Sequence, residues 1–452
     1  MSLLVSTLVR RDVRSCYQAA LSLGICFAIL VPGVCRASAS PACDTLSDPS
    51  LVVLCALAAS PELRSQEQEI QVLTGQRLRA RSILPAHPTA QVSFAGRRPS
   101  AAGLSGEVQT AFNWYVSLSQ ELEIAGQRGA RVRAADAAIA AQRQRVLVSA
   151  QEVASSALGT YYDALAAIEA GALGKEVAAI AEQLAAVGAA RAQAALIAPV
   201  DAHVAQAEAA RFASLRYEAE RRAEELRVSL AAQLGQPTLG ALQGSLDTLP
   251  GTDSSPEQTE ALIAQALLLR GDLAAARYEH EARAARVQVL RRERVPNLTL
   301  SFTAQRDGFD EQVFGGGISL PLPLPAPLGP SRAGELQASE AQVVQAGLTV
   351  ERLRRQVRAE VLRAMARERS YAVQVRSFPA ELAAQARTDL AALAQALSAR
   401  QLAPREALLA QRSLVEFLMG HLEVRRGLAL ARVERLRATG QPLVSRTAGG
   451  QP

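Results

Sequence analysis

The chain has 452 residues, of which 4% are aromatic and 20% charged, and its formal net charge is +6. This length accommodates several domains or one large core, and the abundance of alanine, leucine, glutamine, glutamate and arginine favours long helices packed through small side chains. The first 39 residues carry a net charge of +3, which leaves about +3 on the rest of the chain. So small an excess does not indicate a nucleic-acid-binding protein.

The first 39 residues have the pattern of a cleavable export signal. Basic residues at 10–14 precede an apolar run at 19–34 and a small-residue cleavage site at 37–39. The apolar run is short for a membrane-spanning helix, and Cys26 and Cys35 each follow a bulky residue, so we expect no lipid anchor. No later stretch has the length and apolar character of a transmembrane helix, so insertion into a membrane would have to use strands.

Two cysteines, Cys43 and Cys55, remain after the export signal. Exported proteins fold in an oxidising compartment, where a pair of cysteines commonly forms a disulfide. We therefore predict a Cys43–Cys55 bridge, with two unpaired thiols near the terminus as the alternative.

Two strand pairs are predicted within an otherwise helical chain. Apolar and polar residues alternate over 89–96 and 112–122, and again over 297–306 and 313–324. One apolar face and one face of small polar groups are what a membrane-spanning strand requires. A soluble sheet with one buried face gives the same alternation, so the pattern alone leaves both interpretations open.

Aromatic residues lie near the loop ends of these predicted hairpins. Phe112 and Trp114 follow the first loop, and Phe314 follows the second. In a membrane barrel, such residues form a girdle at the membrane surface.

The helices are predicted to be very long. Residues 126–194 contain no proline, and at 1.5 Å per residue a helix of this length spans roughly 100 Å. A second helix is predicted over 200–234, after Pro199. No globular core accommodates the longer rod, which therefore indicates a coiled-coil-like assembly.

The same plan occurs twice. The segment 88–94 matches 296–302, 197–202 matches 402–407, and the order of helix, hairpin, long helix and shorter helix is preserved. The second long helix, 331–399, is interrupted at Pro379. The predicted organisation is an export signal at 1–39, a first repeat at 40–235, a connector at 236–255, a second repeat at 256–440 and a polar tail at 441–452.

Four strands per chain cannot close a membrane barrel, because open sheet edges are not stable in lipid. Three copies would supply twelve strands. We therefore predict a mainly α fold with a small β part: a trimer with a twelve-stranded barrel and a tube of long helical hairpins.

Over about residues 51–440, the chain resembles the TolC family of outer-membrane channels. The residues that carry the resemblance are 60–63, 119–126 leading into Arg131, 270–273, 294–297 and 318–324. The stretches QELEIAGQR and SLPLPL most resemble the CzcC-type branch, the outer-membrane components of heavy-metal resistance pumps. Where that branch usually has a polar turn after SLPLPL, this chain has the proline-rich 325–330, which leaves subgroup and substrate open.

The resemblance implies a passive homotrimeric conduit in the outer membrane of a Gram-negative bacterium, with a tunnel in the periplasm. It would dock on an adaptor protein and an inner-membrane pump of the RND type and export metal cations or small toxic compounds. The implied pore entrance comprises Pro199, Asp201, Pro404, Arg405 and Glu406.

The resemblance also implies adaptor contacts and hinges. The contacts would be Leu196, Ile197, Leu402 and Ala403, and the hinges, where a kink or local loosening is expected, would be Gly171, Gly174 and Pro379. Simpler roles remain open for these tip residues: an acid after a proline stabilises a helix start, and the apolar residues close a helical hairpin.

No enzymatic site, cofactor site or metal site is predicted. The four histidines are scattered without metal-ligand spacing, and Gly315, Gly316 and Gly317 are not followed by the Lys-Ser/Thr and helix start of a phosphate-binding loop. The alternatives to an efflux channel are a type I protein-secretion channel and a secreted or periplasmic coiled-coil scaffold.

Overall fold

The computed structural model describes Cys43, Leu46, 48–97, 111–249, Gly251, 255–306, 311–322, 332–399 and 403–443. The predicted export signal, Leu402, the proline-rich 325–330 and nearly all of the polar tail lie outside the described residues.

The fold is mainly helical, with one small antiparallel sheet. In chain order, the described elements are α1 (Pro49–Ala59), α2 (Pro61–Ala80), β1 (Thr89–Arg97), β2 (Ala111–Leu122), α3 (Gln127–Gln193), α4 (Pro199–Gln233), α5 (Pro256–Leu269), α6 (Gly271–Arg292), β3 (Leu298–Arg306), β4 (Gln312–Ser319), α7 (Ala333–Ser377), α8 (Ala380–Ser398) and α9 (Pro404–Thr439). Among the residues described, no helix is both long enough and apolar enough to cross a membrane.

The element order repeats. A short helix, a helix of about two dozen residues or fewer, a hairpin, a long helix and a helix of 35 or 36 residues occur in each half. The long helix is continuous in the first half, as α3, and divided into α7 and α8 in the second. This division at Phe378–Pro379 is the main departure from two-fold symmetry in the described chain.

Helix α1 is an element that the sequence analysis does not predict. The carboxylate of Asp48 accepts a hydrogen bond from the Ser50 N–H at 3.0 Å, and hydrogen bonds from the side chain and the backbone of Ser50 lower the pKa of Asp48. Pro49 then occupies the first helical position, where its missing N–H costs nothing. Helix α2 follows at once, with the Ser60 hydroxyl accepting a bond from the Leu63 N–H at 3.2 Å.

Two element ends differ from the sequence expectations. Strand β4 ends at Ser319, and residues 320–322 are irregular, although the alternation predicted a strand as far as 324. Pro321 has no N–H to donate to a neighbouring strand, so the ladder stops before it. Helix α2 ends at Ala80, although the helix-start residues 60–62 and the prolines at 85 and 88 predict a helix as far as about 84.

The largest buried cluster among the described residues joins the two halves of the chain. It contains residues of α1, α3, α4, the connector and α9, with Tyr161 and Tyr162 fully buried at its centre. The Tyr161 hydroxyl donates to the carbonyl of Gln243 at 3.3 Å, and burial raises the pKa of Tyr161 to about 12. The connector is thereby fixed across α3.

The connector approaches α3 so closely that one of its residues has to be glycine. A Cβ built at Gly244 would lie 2.1 Å from the Tyr161 hydroxyl oxygen. Cys43 and Cys55 belong to the same cluster and are bonded to each other, with their Cα atoms 6.1 Å apart. The bridge ties the segment before α1 to α1 itself.

A buried ion pair joins α7 to α9. The carboxylate of Glu368 and the guanidinium of Arg435, each less than 5% exposed, are 2.7 Å apart, and Arg432 lies 3.8 Å from the same carboxylate. Removing one member of such a pair leaves an uncompensated charge in a site that water does not reach.

We therefore expect Glu368→Ala to lower the free energy of unfolding by about 3–5 kcal/mol. Glu225→Ala, which breaks an exposed pair with Arg221 on α4, serves as the control and should cost less than about 0.5 kcal/mol. Chemical denaturation of the two variants measures the difference. Equal losses would show that the Glu368–Arg435 pair has no special structural weight.

Candidate membrane face and tunnel tip

The four strands form a single sheet in the order β1-β2-β3-β4, with every neighbouring pair antiparallel. Directly opposed residues share a face of a sheet. The register places Val92 opposite Val116, Val116 opposite Ala304, and Ala304 opposite Phe314. Most apolar residues of the four strands therefore lie on one face, which we call the apolar face.

The apolar face is the more exposed side of the sheet. Phe94, Phe302, Phe314 and Ile318 are 66%, 55%, 66% and 73% exposed. In a water-soluble sheet, the apolar side is the one that packs on a core. In this sheet the apolar side is instead open to the surroundings.

The opposite side, which we call the polar face, consists mainly of hydroxyl and amide side chains. The hydroxyls of Ser301 and Thr303 are 3.3 Å from the carbonyl oxygens of Gly317 and Gly315, to which they donate. A Cβ at Gly317 would lie 2.8 Å from the Ser301 hydroxyl oxygen, so glycine is required for this contact. Gly315 and Gly317 thus belong to the polar face, whereas Gly316, opposite Phe302, lies on the apolar face.

The predicted girdle residues lie on the apolar face near the loop ends of the strands. Phe112 and Phe314 are 63% and 66% exposed, and Trp114 is half-buried. The ring of Phe112 stacks on that of Phe94, with centroids 5.7 Å apart. Sequence reasoning assigned Phe94 to the strand but not to the girdle, because the pairing of Phe94 with the second strand follows only from the register.

Both edges of the sheet are open within the described residues. β1 pairs with β2 alone, and β4 pairs with β3 alone. Each edge therefore offers a row of backbone groups to another strand.

The first predicted tip turn joins α3 to α4. The N–H of Leu196 donates to the Arg191 carbonyl at 2.9 Å and that of Ala195 to the Ala192 carbonyl at 3.0 Å, a hydrogen-bond pattern that commonly ends helices. Ala195 has a φ of 54°, a conformation usually occupied by glycine in this turn. Leu196 is 57% exposed at the end of the hairpin.

The remaining residues of this turn start α4. Pro199 is in the first turn of the helix, Asp201 is half-buried there, and Ile197 is half-buried before it. The positions agree with a role in helix initiation, and a role of Asp201 at a pore entrance stays a prediction.

The second tip turn joins α8 to α9 and is described only from Ala403 onward. The carboxylate of Glu406 accepts a hydrogen bond from the Ala403 N–H at 3.4 Å, so this acid stabilises the start of α9. Pro404 is in the first turn of α9, and Ala403 and Arg405 are exposed. Ala407 is fully buried in a cluster with Leu184 of α3, which brings the ends of the two helical hairpins together.

We predict that Ala195→Gly stabilises the first tip turn by about 1 kcal/mol, because it removes the cost of a left-handed alanine. The adjacent Ala194 has a φ of −80°, so Ala194→Gly gains nothing there and loses some stability through added chain flexibility. Amide hydrogen exchange of residues 190–200 in the two variants measures the effect. Faster exchange in both would contradict the assigned geometry.

Helix α7 ends at the predicted hinge, and side chains of α9 hold the break. The carbonyl of Phe378 accepts a hydrogen bond from the Nδ1–H of His421 at 2.9 Å. The Phe378 ring lies 5.3 Å from that of Phe417 and over Gly420, where a Cβ would be 2.9 Å from the ring. These contacts are not visible in the sequence, in which His421 is one of four scattered histidines.

The first long helix has no break at Gly171 or Gly174. Both are buried or half-buried within the continuous α3, and a Cβ at Gly174 would lie 3.2 Å from the Cα of Arg216. The loosening expected from the two glycines does not appear as an interruption of α3. Gly174 instead allows α4 to pack closely against this helix. A hinge role for Gly171, Gly174 and Pro379 stays a prediction.

At the break, His421→Ala should lower the free energy of unfolding by about 1 kcal/mol, since the Phe378 carbonyl loses its donor. His421→Asn is the matched variant, because its amide nitrogen can occupy the place of Nδ1 and keep the bond. Limited proteolysis at 376–380 together with thermal unfolding reports the difference. Indistinguishable behaviour of the two variants would show that the bond does not hold the break.

No protein-family model matches the chain. Solved structures of the same fold include the outer-membrane channel CmeC of Campylobacter jejuni (TM-score 0.68, 16% identity, 87% of this chain and 85% of that chain). They also include the outer-membrane protein VceC of Vibrio cholerae (TM-score 0.68, 18% identity, 88% and 97%) and CusC (TM-score 0.67, 17% identity, 87% and 92%). The chain therefore has the fold of the TolC-type outer-membrane channels, with a helical tunnel and a β-barrel.

Among curated proteins, the chain is similar to the cobalt-zinc-cadmium resistance protein CzcC of Cupriavidus metallidurans. The two are 30% identical over 212 residues, which cover 45% of this chain and 48% of CzcC. The match thus spans about half the length of that relative. The resemblance to TolC-type channels and to their CzcC-type branch is confirmed.

Proposed function

We propose that the protein is a passive efflux channel of the outer membrane, built from three copies of the chain, with a tunnel that extends into the periplasm. The observation that carries this proposal is the exposed apolar face of the sheet. An exposed phenylalanine or isoleucine forgoes about 1.5–3 kcal/mol of burial, and lipid would recover it. The hydroxyl and amide groups of the polar face would then line a water-filled lumen.

The trimer follows from the open sheet edges. An unpaired edge is not stable in lipid, so β4 of one copy would pair with β1 of the next. Three copies give twelve strands in a closed ring. The tunnel would come from the long helices, since the 67 residues of α3 reach roughly 100 Å.

We propose metal cations as the transported class, with small toxic compounds as the second candidate. The support is the sequence match to a protein named for cobalt, zinc and cadmium resistance. A channel of this kind would work with a periplasmic adaptor and an inner-membrane pump of the RND type. Leu196 and Ile197 at the first tip turn and Ala403 at the second are the proposed adaptor contacts, and Asp201 and Glu406 would attract cations at the entrance.

The other functions have less support. A catalytic role would need a cluster of reactive groups, and the described residues hold no group of three or more potential metal ligands of the His, Cys, Asp and Glu types. A soluble scaffold would leave the apolar face in water. A protein-secretion channel shares the architecture, and the CzcC match favours efflux over it.

The membrane assignment is tested with neighbouring residues of β2. Leu118 lies on the apolar face and is 51% exposed, whereas Ser117 lies on the polar face. We expect Leu118→Arg to reduce the heat-modifiable trimer in outer-membrane fractions, because an arginine facing lipid at mid-membrane costs about 2–4 kcal/mol. Ser117→Arg should assemble and instead change single-channel conductance.

The proposal is wrong if both variants assemble equally well, or if the unmodified protein purifies as a monomer without detergent. The transported class is tested separately in cells that lack the channel but keep the adaptor and pump. Restored tolerance to zinc, cadmium or cobalt supports metal efflux, and restored export of a protein substrate favours the secretion alternative.

A further inference from the structure

The polar face carries very little charge. Its described residues are uncharged except for Arg97, at the loop end of β1, and Glu121, at the helix end of β2. Opposite Glu121 the register places Thr299, and Thr299 faces Ser319. Glu121 is thus the one carboxylate on the polar face among the strand residues that the structure describes.

Glu121 is held in position by amides. The Nδ2 of Asn297 donates to the Glu121 carboxylate at 2.8 Å, and the Oδ1 of Asn297 accepts from the Nε2 of Gln127 at 3.1 Å. Gln127 is 1% exposed, and its own Oε1 accepts from the Ala125 N–H at 2.8 Å. This chain of bonds joins the end of β2 to the start of β3 and fixes where the carboxylate lies.

The charge of Glu121 is not neutralised by these contacts. The two other acidic residues that line the adjoining cavity, Glu123 and Glu293, are paired with Arg131 and Arg332. Across the part of the chain that the structure describes, no arginine or lysine forms an ion pair with Glu121. An amide donor stabilises a carboxylate without cancelling its charge.

The site is open to solvent. Glu121 is half-buried and borders a cavity of about 400 Å³ that lies where the sheet meets the helices. Asn297 and Arg332 also line this cavity. A fixed, unneutralised carboxylate beside water attracts cations and repels anions.

We infer that Glu121 sets a preference for cations where the barrel meets the tunnel. The inference rests on the proposed function, because only the assembled trimer brings three such carboxylates around one lumen. A ring of carboxylates at the helix end of the barrel, where the other described residues of the polar face are neutral, raises the local concentration of cations. The transported class that fits this ring is positively charged.

The test is ion selectivity of the purified full-length trimer in planar lipid bilayers under a KCl gradient. The wild type should pass K⁺ in preference to Cl⁻. Glu121→Gln should lower the permeability ratio by roughly twofold or more, because it removes three charges from the lumen. Glu311→Gln removes the same number of charges at the loop side of the sheet and should leave the ratio unchanged.

A second variant, in which the carboxylate is moved to a neighbouring residue, controls for an indirect effect of the first substitution. The double variant Glu121→Gln/Asn297→Asp places the carboxylate on the bonding partner of residue 121, and we expect it to restore the wild-type ratio. A wild-type ratio in Glu121→Gln, or no recovery in the double variant, would overturn the inference while leaving the channel proposal intact. If the wild type forms no conducting trimers, the proposed function and this inference fail together.

Discussion

The physical constraint that organises this molecule is the hydrogen-bonding requirement of its sheet. Four strands satisfy one another's backbone groups internally and leave two edges unsatisfied, while one face exposes phenylalanine, isoleucine and leucine to the surroundings. In water, the exposed apolar face raises the free energy of the sheet, and in lipid, the unpaired backbone groups of the edges raise it. A closed ring of strands within a membrane relieves both costs, and in the proposed trimer one chain supplies a third of a twelve-stranded ring.

Away from the sheet, small residues allow the helices to pack closely. In the first half, Gly174 on the long helix lets the backbone of Arg216 approach, and in the second half, Gly420 on the shorter helix accommodates the ring of Phe378. Gly174 and Pro379 are 205 residues apart, as are Leu215 and Gly420. At equivalent positions, the glycine that permits close packing is thus on the long helix in the first half and on the shorter helix in the second, and only the second half has a proline there.

Much of this fold can be predicted from the sequence, because the periodicity of apolar residues agrees with the positions of the residues that start and end helices. Alternation marks all four strands, the absence of proline marks the long helices, and Ser60 and Ser255 mark helix starts that the structure contains. Helix α1 is missed because it is short and apolar on every side, so it has no amphipathic period to detect. The end of β4 is misplaced because the alternation continues through Pro321, where backbone chemistry ends the strand.

The candidate site is likewise predictable from the sequence only in part. The composition of the two faces of the sheet is readable from the sequence, since it depends on alternation within each strand. Contacts between distant segments are not, and the Gln127–Asn297–Glu121 chain and the His421–Phe378 bond both join residues from different elements. Such contacts depend on tertiary packing, on which local sequence periodicity carries no information.

The largest buried cluster, around Tyr161 and Tyr162, connects the two repeats. It combines residues of α3 from the first half, the connector, and α9 from the second half, including Leu422 and Ala429. Separate halves would each expose part of this interior to water, so the two repeats share one buried core. A single repeat, with two strands, would need six copies to complete the proposed ring, and the fusion lowers this number to three, so that assembly takes two associations instead of five.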